Sequence, residues 1–210
     1  MSKEVLKSMK KVLITGFEPF GGELINPSYE AIKNINRSLL DCELFILEVP
    51  TEFYTSSKLV IESIHKIEPD VIILVGQAGG RKEISIERVA INIDDSNVPD
   101  NRGIKPIDNP ISVFGESAYF STLPIKKILE SLKKEFIPAG ISNSAGTYVC
   151  NHLMYSILHE LKDRSLDHIQ AGFIHVPYIP DQTYNKQNLF SLDLNIITRA
   201  LEIIIQSTLD

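Results

Sequence analysis

Val71-Ile72-Ile73-Leu74-Val75 runs directly into Gly76-Gln77-Ala78-Gly79-Gly80-Arg81, and this junction decides the fold class. An unbroken apolar, mostly β-branched run leaves no polar face. It therefore reads as a strand buried on both sides, as in a parallel sheet covered by helices. The glycine-rich run after it reads as the turn by which such a strand delivers backbone to the functional edge of the sheet.

Upstream, Lys11 to Thr15 reads as a first buried strand closed by Gly16, followed by the loop Phe17-Glu18-Pro19-Phe20-Gly21-Gly22. Asn26-Pro27 opens a helix, with Asn26 as N-cap and Ala31, Ile32, Ile35 and Leu39 on one face. Glu43 to Val49 is a second strand, and Ser57 to Ile67 is a helix that Pro69 stops. Downstream, Glu87 to Ile93 alternates polar and apolar residues, which predicts a more exposed strand or hairpin arm. Asp94 to Gly115, rich in Asp, Asn, Pro and Gly, reads as a long loop: a lid, a contact surface or a disordered segment. Pro124 opens a further helix, Ala139 to Ser142 is a short strand, and Asn143 to Cys150 leads into a helix bearing Leu153, Met154, Ile157, Leu158 and Leu161. Ala171 to His175 is the last strand and Ser191 to Ser207 the C-terminal helix. Its consecutive Ile203, Ile204 and Ile205 cannot share one face, so part of that helix is expected to dock against another subunit.

Strands alternating with helical patterns, with no linker between them, predict one α/β domain over residues 1–210 with helices on both faces of the sheet. A net charge of −6 and the absence of a basic stripe argue against general affinity for nucleic acid or an anionic membrane. Met1 to Lys10 lacks the apolar core of a signal peptide and no window approaches a membrane span, so the expected compartment is the cytoplasm. Cys42 and Cys150, far apart and outside any CxxC motif, are expected to be free thiols without a metal. Gly79-Gly80 and Gly21-Gly22 match neither GxGxxG nor a P-loop, which argues against a nucleotide cofactor.

Cys150 stands at the head of a helix, where unpaired N–H groups and aligned peptide dipoles favour a thiolate nucleophile. The small residues Ser144-Ala145-Gly146 before it allow a sharp approach and leave its amide open as an oxyanion donor. A buried, inert cysteine is the competing reading, and it is the favoured one for Cys42. His175 ends the last strand, where a side chain is pushed into the cleft at the sheet edge, and is the natural base. His65, His152, His159 and His168 read as surface residues; His152 is the one rival, but residues i and i+2 of a helix do not face each other. Glu87 is a candidate to orient the histidine, with Glu83, Asp94, Asp95 and Asp181 as alternatives, and a solvated Glu87 paired with Arg81 or Arg88 as the bland reading. Phe17 and Phe20, in a Gly- and Pro-rich loop, can grip a flat apolar ligand.

Two segments carry a resemblance: Gly76-Gln77-Ala78-Gly79-Gly80-Arg81 through Ile84-Ser85-Ile86-Glu87-Arg88-Val89-Ala90-Ile91-Asn92, and Ser142-Asn143-Ser144-Ala145-Gly146-Thr147-Tyr148-Val149-Cys150-Asn151. With Thr15 to Gly22, Asn26-Pro27-Ser28 and His175-Val176-Pro177-Tyr178, the chain closely resembles the pyroglutamyl-peptidase I (pyrrolidone-carboxylate peptidase) family. The resemblance implies a three-layer α/β/α domain with a twisted mixed, mostly parallel sheet, and a Cys150, His175 and Glu87 triad. That triad would remove an N-terminal pyroglutamyl residue from peptides through a thioester. It further implies a lactam slot between Phe17 and Phe20 with Gln77 lining it, no metal or cofactor, and assembly as a dimer or tetramer. Tyr148 and Tyr29 depart mildly from the family pattern and touch pocket shape, not the triad. Two other readings are a catalytically idle binder of cyclic amides, against which the intact triad residues speak, and a nucleoside phosphorylase on fold analogy alone.

Overall fold

The apolar run at Val71 forms a strand buried along its whole length, β3 (Val71–Gln77), because helices cover both of its faces. Alternate residues go to opposite sides: Val71, Ile73 and Val75 join one core cluster, and Ile72 and Leu74 the other. The protein, described here by a computed structural model, is seen over residues 9–184, 186 and 188–209. Around β3 stand β1 (Lys11–Phe17), β2 (Glu43–Val49), β4 (Ile84–Glu87), β7 (Ala139–Ser142) and β8 (Gln170–Val176). They make a six-stranded sheet in the order β2-β1-β3-β8-β4-β7. Four of its pairings are parallel, and only β4 with β8 is antiparallel, so the sheet is mixed and mostly parallel as expected.

On one face α2 (Thr55–Ile67) and α4 (Val149–Asp163) pack over Leu13, Ile72, Leu74 and Phe173. On the other lie α1 (Pro27–Lys33), α3 (Ile125–Lys134) and α6 (Leu194–Leu209) over Val12, Ile14, Ile73 and Ile174, with the one-turn α5 (Pro180–Thr183) between β8 and α6 in the chain. The α1 start is capped as its sequence requires, with the Asn26 side chain accepting from the Ser28 N–H and Pro27 in the first turn. That helix ends early, at Asn34; Leu39 falls in a separate 3₁₀ turn and is exposed, so it does not extend the α1 face.

The expected strand from Glu87 to Ile93 is shortened to β5 (Val89–Ile91), half-buried and paired antiparallel with β6 (Ala118–Phe120) in a separate two-stranded sheet, while Glu87 itself ends the buried β4. Ile203, Ile204 and Ile205 do not face a second subunit: all three are buried within the chain, because α6 is flanked by α1 and α3 as well as by the sheet. The region from Asp94 to Gly115 is irregular, as expected, but ordered by an Asp94–Asn109 bridge and by Asp100, which accepts from the Phe53, Arg102 and Ile104 N–H groups. Among the described residues no helix is long and apolar enough to cross a membrane.

Candidate active site

The parallel strands bring their carboxyl ends to one edge of the sheet, and α4 begins there. Its approach is shaped by Gly146, whose φ of +82° suits a residue without Cβ, and by the Thr147–Asp95 pair, which exchanges two hydrogen bonds of 2.7 and 3.0 Å. Cys150 is the second residue of α4 and half-buried. Its Sγ lies over Gly76 of β3: a Cβ built there would be 3.0 Å from the sulfur and 2.7 Å from Phe173 Cζ. Gly76 is in register with His175, and Phe173 and His175 project from the same face of β8, their rings 4.7 Å apart. Cys150 and His175 therefore share one face, on either side of a residue with no side chain. No hydrogen bond joins Sγ to the imidazole among the described residues.

Glu87 reaches the histidine through the reversed strand. After β3 rises to the edge, the turn at 78–83 sends β4 back down beside β8, with Ser85 opposite His175. Glu87, two residues further, lies diagonally beneath the imidazole and is fully buried. Its Oε1 accepts from His175 Nδ1 at 2.7 Å and from Arg81 Nη1 at 2.5 Å. Burial disfavours its charge, but the bond to His175, the charge that ring carries when protonated, the Ser142 hydroxyl and Arg81 together outweigh that and hold the carboxyl below its usual range. An ionised Glu87 places the proton on Nδ1 and leaves the Nε2 lone pair free to act as base.

Burial lowers the His175 pKa below the usual histidine value against the opposing pull of Glu87, so the ring is neutral at rest. Burial first and the Glu87 charge second push the Cys150 thiol up to about 12, with Arg81 and the residue's own N–H opposing. Those surroundings favour the protonated thiol, against the pull toward a thiolate that a helix N-terminus exerts.

The other candidates separate cleanly. Glu83, Asp95 and Asp181 are exposed, and Asp94 belongs to a different histidine. His152, expected at the surface, is buried: Nδ1 meets Asp94 Oδ2 at 2.8 Å and Nε2 accepts from the Tyr54 N–H at 3.1 Å. Those contacts engage both ring nitrogens and leave neither for Cys150. Arg88 turns away to Asn143 Oδ1 at 2.7 Å, so the cation beside Glu87 is Arg81. Cys42 is buried in the opposite core cluster.

Around the thiol, Phe17 closes β1 and is 2% exposed against Phe173, so it is a core residue and not the solvent-near loop aromatic its sequence setting predicted. Phe20 is half-buried and packs beside Tyr148, ring centroids 6.3 Å apart. Tyr148 is in turn fixed by its hydroxyl bond to the Pro99 carbonyl and by the edge of Phe53. Gln77 shares the face of Val75 and Val176, opposite to Cys150; its Oε1 accepts from Gln182 Nε2 at 2.8 Å.

A family model described as pyroglutamyl peptidase matches residues 10–210. Pyrrolidone-carboxylate peptidase 1 of Caldanaerobacter subterraneus subsp. tengcongensis is 53% identical over 192 residues, covering 91% of this chain and 94% of that protein. Pyrrolidone-carboxylate peptidase 1 of Streptococcus pneumoniae is 48% identical over 200 residues, covering 95% and 93%. Among solved structures, pyroglutamyl peptidase I of Bacillus amyloliquefaciens superposes with a TM-score of 0.91 at 50% identity, covering 95% of this chain and 96% of that one. Pyrrolidone carboxyl peptidase from Thermococcus litoralis gives 0.92 at 39% identity, covering 96% and 94%.

Proposed function

The chain belongs to the pyroglutamyl peptidase family, and from that premise we propose that it releases an N-terminal pyroglutamyl residue from peptides with Cys150, His175 and Glu87 as its catalytic triad. It is a cysteine-type hydrolase. The observation that carries the assignment of residues is the buried Glu87–His175 bond of 2.7 Å, next to a Gly76 over which the Cys150 sulfur lies.

In the reaction, His175 Nε2 takes the Cys150 proton as sulfur attacks the carbonyl carbon of the pyroglutamyl residue. Negative charge that gathers on the carbonyl oxygen is met by N–H groups in the first turn of α4, which have no partner within the helix. The imidazolium formed in this step is stabilised by Glu87 beneath it, then passes its proton to the departing amine as the C–N bond breaks. Water, deprotonated by the same Nε2, adds to the thioester and frees pyroglutamate and the thiol. Because the thiol is protonated at rest, proton transfer and attack are coupled, and a substrate that excludes water from the cleft strengthens both steps.

The lactam ring is assigned to the space beside Cys150 bordered by Phe20, Tyr148 and the end of β1 at Phe17; Gln77, on the other face of the sheet and held by Gln182, is not assigned a contact with it. A flat, uncharged ring suits aromatic walls and asks for no acidic group. The range 1–210 is taken as one domain, supported by a sheet that draws strands from Lys11 to Val176. Exposed Val113 and Phe114, the latter 98% accessible, support assembly into a dimer or tetramer through the long loop. Two unbridged thiols suit the cytoplasm.

The function is tested with pyroglutamyl-aminocoumarin against prolyl-aminocoumarin, which lacks the ring carbonyl. Release of the fluorophore from the first and not the second is expected; equal rates would remove the proposed specificity.

A further inference from the structure

Arg81 lies in the turn between β3 and β4, outside the three residues assigned to the chemistry. Its guanidinium donates from Nη1 to Glu87 Oε1 at 2.5 Å and from Nη2 to the Ser144 carbonyl at 3.1 Å. The same Oε1 accepts the His175 Nδ1–H. One carboxylate oxygen thus holds both the base and a cation, and that cation also reaches the segment that delivers Cys150.

Most surface ion pairs contribute little, because water competes for both charges. Here the acid is fully buried and the Arg81 side chain is 30% exposed, so the contact is shielded on the acid's side. A planar guanidinium makes its bonds in fixed directions, and two bonds to separate elements define its orientation as a single ammonium contact cannot. Among the described residues Glu87 Oε2 meets no partner in hydrogen-bonding geometry, and the Ser142 hydroxyl near the carboxylate adds to the groups that favour its charge. The bonds that fix its rotation are those to Oε1, from His175 on one side and Arg81 on the other.

We propose that Arg81 is a positioning residue for the hydrolysis: it fixes the Glu87 carboxylate toward His175 and ties the Ser144 end of the nucleophile segment to that acid. The proposal rests on the Cys150, His175 and Glu87 reading. The charged groups that bear on both His175 and Cys150 are Glu87 from β4 and Arg81 from the turn. Arg81 opposes protonation of His175 and favours the Cys150 thiolate, whereas Glu87 acts in the reverse sense on both. Removing the guanidinium therefore moves the titration of both groups to higher pH. A residue that only props the turn would leave them in place.

The test uses Arg81→Met and Arg81→Lys in the full chain. Two profiles are recorded against pH: kcat/KM on pyroglutamyl-aminocoumarin, and the rate at which iodoacetamide alkylates Cys150, followed by mass spectrometry of its peptide. For Arg81→Met, kcat is expected to fall by about tenfold to a hundredfold with KM little changed, and both profiles move to higher pH. Arg81→Lys is expected to keep the profiles near their parental positions, since the charge remains, while losing part of kcat because one ammonium cannot reproduce both bonds. Unshifted profiles in a folded Arg81→Met variant overturn the proposal whatever the loss of rate. Should thermal melting show that variant unfolded, an Arg81→Lys enzyme with parental kcat overturns it instead. Full turnover by Cys150→Ser would defeat the triad reading itself; an inactive Cys150→Ser beside unshifted Arg81→Met profiles would defeat only the role of Arg81.

Discussion

Replacing Glu87 by Gln keeps the shape of the side chain and one acceptor oxygen but removes the charge, and the structure sets bounds on the consequence. Glu87 is fully buried, and Oε1 takes two charge-assisted bonds at 2.7 and 2.5 Å. In the resting enzyme His175 is neutral, so the ground state loses little at the imidazole. The loss falls on the imidazolium of the attack step. Trading a charge-assisted bond for a neutral one costs about 1–2 kcal/mol and sets the lower bound. Removing one partner of a buried charge pair costs about 3–5 kcal/mol and sets the upper bound. At about 1.4 kcal/mol per decade, kcat is expected to fall by about tenfold to a few thousandfold, with KM nearly constant because Glu87 does not line the proposed substrate space. The assay is steady-state hydrolysis of pyroglutamyl-aminocoumarin, with thermal melting to show that the variant is folded. A folded Glu87→Gln enzyme with parental kcat, or with its loss confined to KM, would refute the orienting role.

Other expected outcomes follow from the same geometry. Burial lowers the His175 pKa, and the base must be unprotonated; the acid limb of kcat/KM should therefore lie below the ordinary histidine value of 6.5, and a limb above it would contradict the environment described. Gly76→Ala places a methyl 2.7 Å from Phe173 Cζ and 3.0 Å from Cys150 Sγ. Such overpacking costs about 1–3 kcal/mol, so a lower melting temperature and slower alkylation of Cys150 are expected. His152→Ala leaves Asp94 buried without its partner, a loss of about 3–5 kcal/mol by urea unfolding; kcat of the folded variant should stay near that of the parent, because both nitrogens of the His152 ring are held by Asp94 and the Tyr54 N–H.

The layered α/β architecture was readable because its cause is local. A strand covered on both faces, such as Val71–Gln77, must be apolar throughout, and helix starts such as Asn26-Pro27 carry their own caps. What failed locally was set elsewhere in the chain. The run from Glu87 to Ile93 alternates like an exposed strand, and β5 within it is half-buried, but Glu87 itself ends β4, whose pairing partners β7 and β8 lie more than fifty residues away in sequence. Ile203 to Ile205 look excessive for one helical face until α1 and α3 close on both flanks of α6.

The site divides in the same way. Position alone suggested Cys150 at a helix head and His175 at a strand end. Glu87 could not be chosen over Asp94 by position, because the choice depends on β4 running opposite to β8, which places one acid under His175 and leaves the other to His152. His152 looked like a surface residue because its partners, Asp94 and the Tyr54 N–H, come from remote loops. The burial of Phe17 is hidden from its local sequence because β1 continues two residues past Thr15, carrying that ring into the core.

The central claim is that Cys150 forms a thioester with the pyroglutamyl group. Rapid acid quenching during turnover of an activated pyroglutamyl ester, followed by intact-protein and peptide mass spectrometry, tests it directly. One pyroglutamyl group on the peptide containing Cys150, absent from Cys150→Ala, is the expected result. An adduct on another residue, or sustained turnover by Cys150→Ala, would contradict the account.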